Sequence, residues 1–156
     1  MEKKKLFIVV RCNKNETYHA AKELDKIIKI KGYSWFAKFG SKIKYENFNL
    51  SDEKIDYLLT LSLFEKNKFN LYTYKIFDIK RDTLPEVGFY PKYYNESKYI
   101  TESWSRGSTW FKVKKYLEIQ PKAEDLILVS SFNSLTNTLN KSMAGHFLCR
   151  LSQDFS

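Results

Sequence analysis

Between Lys26 and Lys44 the chain carries six lysines (Lys26, Lys29, Lys31, Lys38, Lys42 and Lys44) and no acidic residue. Tyr33, Trp35, Phe36 and Phe39 are interleaved with them. Ammonium groups neutralise phosphates and exposed aromatic faces stack on bases, so this mixture carries the chemistry of a polyanion contact. The plain alternative is an aromatic core beside a solvated helix end, and Phe36 and Phe39 suit either. Trp35 follows Gly32-Tyr33-Ser34 in a stretch that reads as a loop, which favours a surface role. Trp104 is the second candidate, set in Thr101-Glu102-Ser103-Trp104-Ser105-Arg106-Gly107-Ser108. That neighbourhood is polar and gives an indole no local core. Two tryptophans from separate loops can sandwich one planar ring while hydroxyls and amides read its edge, which is what an extruded base requires. Trp110 opens an apolar strand and reads as packing.

Other chemistries find less support. A metal-dependent nuclease needs clustered carboxylates with a lysine nearby; the nearest set is Asp78-Ile79-Lys80, with Asp56 upstream. Cys12 or Cys149 beside His19 or His146 would make a nucleophile and base, but both cysteines border apolar strands, where Cys behaves as a small buried hydrophobe. Two cysteines and two histidines build neither a disulfide framework nor a four-ligand zinc site. There is no GxGxxG, no phosphate-loop glycine pattern and no G-x-S-x-G elbow. No cofactor and no metal is expected.

The charge pattern agrees with the lysine cluster. Lys+Arg is 27 and Asp+Glu 18, a net of +9. Residues 1–50 hold 12 basic and 5 acidic residues, residues 51–100 hold 8 of each, and residues 101–156 hold 7 and 5. A positive field concentrated in the first third points to nucleic acid before membrane; a solvated lysine-rich surface is the bland reading. At 156 residues with 43% hydrophobic and 17% aromatic residues, the chain suits one domain and is no disordered segment. No apolar run reaches the roughly 20 residues of a membrane helix. The five apolar residues Leu6–Val10 fall short of a signal peptide's apolar region. A cytoplasmic protein with reduced thiols is expected, and the opening Met suits a natural N-terminus.

These residues need elements to position them. Leu6–Val10 reads as a central strand. Tyr18–Lys31 reads as a helix, with Ala20, Ala21, Leu24, Ile27 and Ile28 on one face, Asn15 or Thr17 as its cap, and Gly32 at its C-terminal end. Strands follow at Tyr57–Phe64, Phe69–Ile79 and Trp110–Ile119, the first two joined by a turn at Lys66-Asn67-Lys68. Lys80–Thr109 is a long connection with Pro85, Gly88, Pro91 and Gly107, of a length that is often functional. A strand at Asp125–Ser131, a short helix at Asn133–Lys141 and a strand at Phe147–Leu151 close the chain. This order predicts an α+β fold, a curved mixed or antiparallel β-barrel flanked by a few helices. Residues 1–156 form one domain, with 122–156 as a C-terminal strand–helix–strand extension.

The Gly-x-x-Trp loop at Gly32-Tyr33-Ser34-Trp35, the strand pair Leu58–Phe64 and Leu71–Ile79, and the late strand Trp110-Phe111-Lys112-Val113 resemble the PUA-like superfamily in its EVE and YTH-like branch. The resemblance reaches to about residue 131. It implies a curved barrel whose aromatic pocket accepts a modified base. Trp35 would form one wall and Trp104 the other, with Tyr90 or Tyr94 as substitutes; Ser34 or Ser41 would read the base edge beside Phe36. Lys38, Lys42, Lys44 and Arg106 would take phosphates. The long Lys80–Thr109 segment and the C-terminal extension depart from the family pattern. Domains of this branch often serve as recognition modules of modification-dependent restriction systems, so a restriction NTPase or nuclease is an implied partner.

The reading at this level is a non-enzymatic reader that captures a flipped, modified base, of DNA before RNA. A protein-interaction or antidefence adaptor using the aromatic loop as a hot spot is the alternative from a different class. A small nuclease built on Asp56, Asp78 and Lys80 is the third.

Overall fold

The computed structural model describes residues 3–12, 19–38, 48–81, 84–92, 94, 109–141 and 144–155. The chain divides into two compact units. The first comprises Met1–Lys14, Asp52–Lys75 and Tyr116–Ser156, and the second Asn15–Ser51 and Ile76–Lys115.

The first unit is organised around β1 (Lys4–Arg11). Its residues Phe7–Val10 are all buried, which is why they read as an unbroken apolar run with no alternation. On one side β1 pairs in parallel with β3 (Ile55–Glu65), Phe7 opposite Leu58 and Val9 opposite Thr60. On the other side it pairs antiparallel with β7 (His146–Leu151), Phe7 opposite Cys149 and Val9 opposite Phe147. β3 turns into β4 (Lys68–Arg81) through a two-residue loop, with Glu65 opposite Lys68. Lys66 and Asn67 both have positive φ, 51° and 67°, as a type I′ turn requires. β6 (Leu126–Leu128) pairs antiparallel with β7, and α2 (Leu135–Lys141) buries Leu135 and Leu139. Phe7, Val9, Leu58, Leu126, Leu135, Phe147 and Leu151 share one core cluster. The segment 122–156 therefore supplies one flank of the central strand and much of this core.

The second unit is built from α1 (Ala20–Lys31), β2 (Ser34–Lys38), β5 (Thr109–Lys115) and the last residues of β4. Asn15 and Thr17 lie outside the described residues. The observed N-cap is His19, whose Nδ1 accepts from the Lys22 N–H at 3.1 Å. Gly32 ends the helix in the left-handed region, φ 89°, its N–H donating to Ile28 O at 2.8 Å, the conformation for which glycine is preferred. The stretch expected to be a loop after Gly32 is the strand β2, paired antiparallel with β5. Its alternation is masked because Ser34 to Ala37 are all buried, so polar residues do not mark one face.

Hydrogen-bonded neighbours run β2-β5-β4-β3-β1-β7-β6. The α+β class stands: the described residues hold a mixed sheet and two α-helices. The expected closure into a barrel is not formed by the described strands: the order is open and ends in short strands of five and three residues, a common way of blunting sheet edges. Among the described residues no helix is long and apolar enough to cross a membrane.

Cys149 is fully buried beside β1, and burial pushes its thiol up to about 12. It is a packing residue, since only the thiolate is a nucleophile. Because the folded thiol holds its proton above the unfolded value of 9.0, its linkage contribution is present below pH 9 and lost as pH rises towards 12. Urea midpoints should therefore fall across that alkaline window, and Cys149→Ala should flatten the fall. An identical pH profile in the variant would show that Cys149 does not govern it. Phe7→Ala, which empties the centre of the same core, should cost about 3–5 kcal/mol in the same unfolding measurement.

Candidate nucleic-acid interface

Alternation along the β2–β5 pair sorts its side chains. Phe36 faces Phe111 and Ser34 faces Val113; Trp35 faces Lys112 and Ala37 faces Trp110. Trp35, Ala37 and Trp110, with Tyr90 and Tyr94, form an aromatic cluster against which Tyr33 and Phe89 pack. Tyr90 and Tyr94 stack at 6.1 Å between centroids, and both present edges to Trp110, at 5.5 and 5.8 Å. The segment carrying Phe89 is strapped to the start of β2. Phe89 O accepts from the Trp35 N–H at 2.7 Å and from the Ser34 hydroxyl at 3.1 Å, while Gly88 turns the chain at φ 93°. The Tyr94 hydroxyl accepts from the Ala37 N–H at 3.3 Å.

Lysines lie over this aromatic layer. The Lys112 Nζ sits 4.2 Å from the Tyr33 ring, 4.9 Å from Phe77 and 5.9 Å from Trp35. Lys80 approaches Trp35 at 5.3 Å, Lys114 approaches Phe77 at 5.7 Å, and Lys31 approaches Phe89 at 5.2 Å. Such cation–π contacts are worth about 0.5–1 kcal/mol each at exposed sites. Tyr33 meets Phe77 edge-on at 6.0 Å and stacks on Phe89 at 4.9 Å. Glu86 accepts from the Tyr33 hydroxyl at 3.2 Å; partial burial first, and then this carboxylate, raise the phenol above its ordinary value. Among the described residues Lys31, Lys80, Lys112 and Lys114 form no ion pair. Four ammonium groups on aromatic rings make a surface that attracts anions and offers π-faces beside them.

Trp35 is not a loop residue. It is 3% exposed, sits in β2 and lies beneath Lys80 and Lys112. Ser34 is buried with its hydroxyl committed to Phe89 O. Phe36 is buried on the opposite face of β2 from Trp35. Tyr90 is buried in the cluster that includes Trp35. Lys38 ends β2 opposite Thr109. Trp104, Ser41, Lys42, Lys44 and Arg106 lie outside the described residues. Lys112, Lys114 and Phe77 have no site role in the sequence reading, and Lys80 has one only in the nuclease alternative; the available signal is the alternation Trp110, Lys112, Lys114 on one side of a strand.

The carboxylates of the nuclease alternative are placed apart in role. Asp56 belongs to the first unit, where its buried side chain accepts from Lys75 Nζ at 2.9 Å, with the Tyr116 hydroxyl at 3.4 Å. Asp78 belongs to the second unit, and its Oδ1 accepts from the Ile79 N–H at 2.9 Å. Among the described residues no group of three or more His, Cys, Asp or Glu could hold a metal. The first unit also has a groove of about 520 Å³ lined by Phe64, Phe69, Tyr72 and Asn140. Its lysines, Lys68 and Lys122, share it with Glu124, and no cation over an aromatic ring of this groove accompanies them among the described residues. No family model matches the chain, and neither the curated proteins nor the solved structures searched give a match.

Lys75 is the principal counter-charge of a carboxylate with 4% side-chain exposure. Lys75→Met should lower unfolding free energy by about 3 kcal/mol, because removing one partner leaves a buried charge uncompensated. Urea denaturation monitored by circular dichroism measures this; a loss below about 1 kcal/mol would show that Lys3, 3.8 Å from the same oxygen, suffices.

Proposed function

We propose that this protein binds nucleic acid through the lysine–aromatic face of its second unit. The observation that carries the reading is Lys112, an ammonium without an ion pair among the described residues, seated among Tyr33, Phe77 and Trp35. Lys31, Lys80 and Lys114 extend the same charge over neighbouring rings. Phosphates satisfy the lysines and bases occupy the π-faces, a combination that an acidic protein partner would use only in part. The PUA-like resemblance supports the same ligand class, and capture of a flipped, modified base is its narrower form. That form requires Trp104 as a second wall, and it requires Lys80 and Lys112 to leave the Trp35 indole. A role as the recognition module of a restriction system belongs to the same proposal.

The reading implies a steep salt dependence. Affinity for a labelled oligonucleotide should fall linearly in log–log form as salt rises from 50 to 200 mM. The double variant Lys112→Gln, Lys114→Gln should reduce the magnitude of that slope by about 1.4–1.8, since each lost phosphate contact removes roughly 0.7–0.9. An unchanged slope would make these lysines a solvated surface. In the same buffer with Mg²⁺ the DNA should stay intact; cleavage that disappears in Asp78→Ala would favour the nuclease alternative.

A further inference from the structure

We infer that the ligand of this face is a single strand rather than a duplex or a base enclosed between two walls. Its bases lie on the outer faces of Phe77, Tyr33 and Phe89, and its phosphates are taken by Lys112, Lys114 and Lys31. The inference rests on the nucleic-acid reading above and names the form of the nucleic acid.

Ring geometry excludes enclosure among these residues. A base slotted between two parallel rings needs them about 7 Å apart, two carbon–carbon contacts of roughly 3.5 Å. Tyr33 and Phe89 are the near-parallel pair, at 24°, and their centroids are only 4.9 Å apart, so they already stack on each other. Tyr33 and Phe77 are perpendicular, at 89°, and cannot form two walls. Trp35, 3% exposed, offers no accessible face. What remains are Phe77, Tyr33 and Phe89, which lie under Lys112, Lys114 and Lys31, so a base reaches a ring as its lysine swings to a phosphate. Phe77 is 38% exposed, and Tyr33 and Phe89 are half-buried.

An open platform selects among nucleic acids. A duplex keeps its base faces stacked inside and offers phosphates and groove edges, so exposed rings gain little from it. A single strand presents free π-faces alternating with phosphates. Here the charges accompany the rings: Lys112 is 4.2 Å from Tyr33 and 4.9 Å from Phe77, Lys114 lies at Phe77, and Lys31 at Phe89. Every base has a π-face, so recognition of this kind is tolerant of sequence. Cross-ring contacts hold the Lys112 ammonium beside the platform, which lowers the entropy lost when a phosphate arrives.

The test is fluorescence anisotropy with a fluorescein-labelled mixed-sequence 12-mer, as DNA and as RNA, and the DNA duplex of the same sequence, at 50 and 200 mM NaCl. Single strands should bind at least 10-fold tighter than the duplex. Phe77→Ala should weaken single-strand binding about 5- to 100-fold and leave duplex binding within 2-fold. Phe77→Tyr, which keeps a ring at the site, should bind the single strand as the parent does, separating stacking from any loss of fold. Equal affinity for both forms, or an equal loss of both in Phe77→Ala, would overturn the single-strand inference while leaving salt-dependent nucleic-acid binding in place. No salt-dependent binding to any of the three oligonucleotides would overturn the parent reading and this inference together.

Discussion

The antiparallel register of β2 on β5, with Trp35 opposite Lys112, is the constraint on which the proposed interface depends. In a strand the side-chain period is two, so a slip of one residue would send every side chain to the other face. If β5 slipped, Lys112 would move to the face that Phe36 occupies while Phe111 and Val113 left it, and the aromatic cluster would lose its cation. The observed register instead sets the Lys112 ammonium among Tyr33, Phe77 and Trp35. Two further ties hold this arrangement. Phe89 O is bound by the Trp35 N–H and the Ser34 hydroxyl, and the Tyr94 hydroxyl receives the Ala37 N–H. The buried polar groups of β2 thus fasten the segment that carries Phe89, Tyr90 and Tyr94.

The two units use their charges differently. In the first, Asp56 is buried and Lys75 and the Tyr116 hydroxyl converge on it. The Tyr116 phenol, also bonded to Glu118, is held well above its ordinary value, mainly by burial. That is a closed network in which each charge has a neighbour, with the desolvation cost such burial entails. In the second, the lysines rest on aromatic faces, an attraction of at most a few kcal/mol in sum that is not saturating. An ammonium on a ring still has N–H donors for a phosphate. The contrast explains why the Asp56 group reads as structure and the Lys112 group as an interface, although both contain the charged residues that chemistry needs.

Much of this was legible in the chain. The apolar run Leu6–Val10, the amphipathic helix ending at Gly32, the hairpin at Lys66-Asn67 and the final strand all appear where local pattern puts them. In each case the signal is short-range: β-branched clustering, a 3.6-residue period, or a turn with positive φ. The aromatic and basic stretch after Gly32 reads from its residue types as a candidate site, but as a loop. Burial of four consecutive residues, Ser34 to Ala37, removes the polar alternation by which a strand is read. Trp35 was accordingly assigned to an exposed wall, and it lies under lysine side chains.

What the sequence by itself determined was composition, charge sign and local element type: a basic, aromatic-rich α+β chain with two cysteines, too few for a disulfide framework. Tertiary structure alone decided which lysines meet which rings. Lys112 is 79 positions from Tyr33 and 35 from Phe77 in the chain, and nothing local couples them. Their meeting follows from strand pairing and register, which are cooperative properties of the whole sheet. The same holds for closure: residue pattern is compatible with a barrel or an open sheet, and the choice rests on which edges find partners. Here the described order ends at the short strands β2 and β6. Alternation is written in each strand separately, but neighbours across a sheet are chosen only when non-local hydrogen bonds and buried faces are satisfied together.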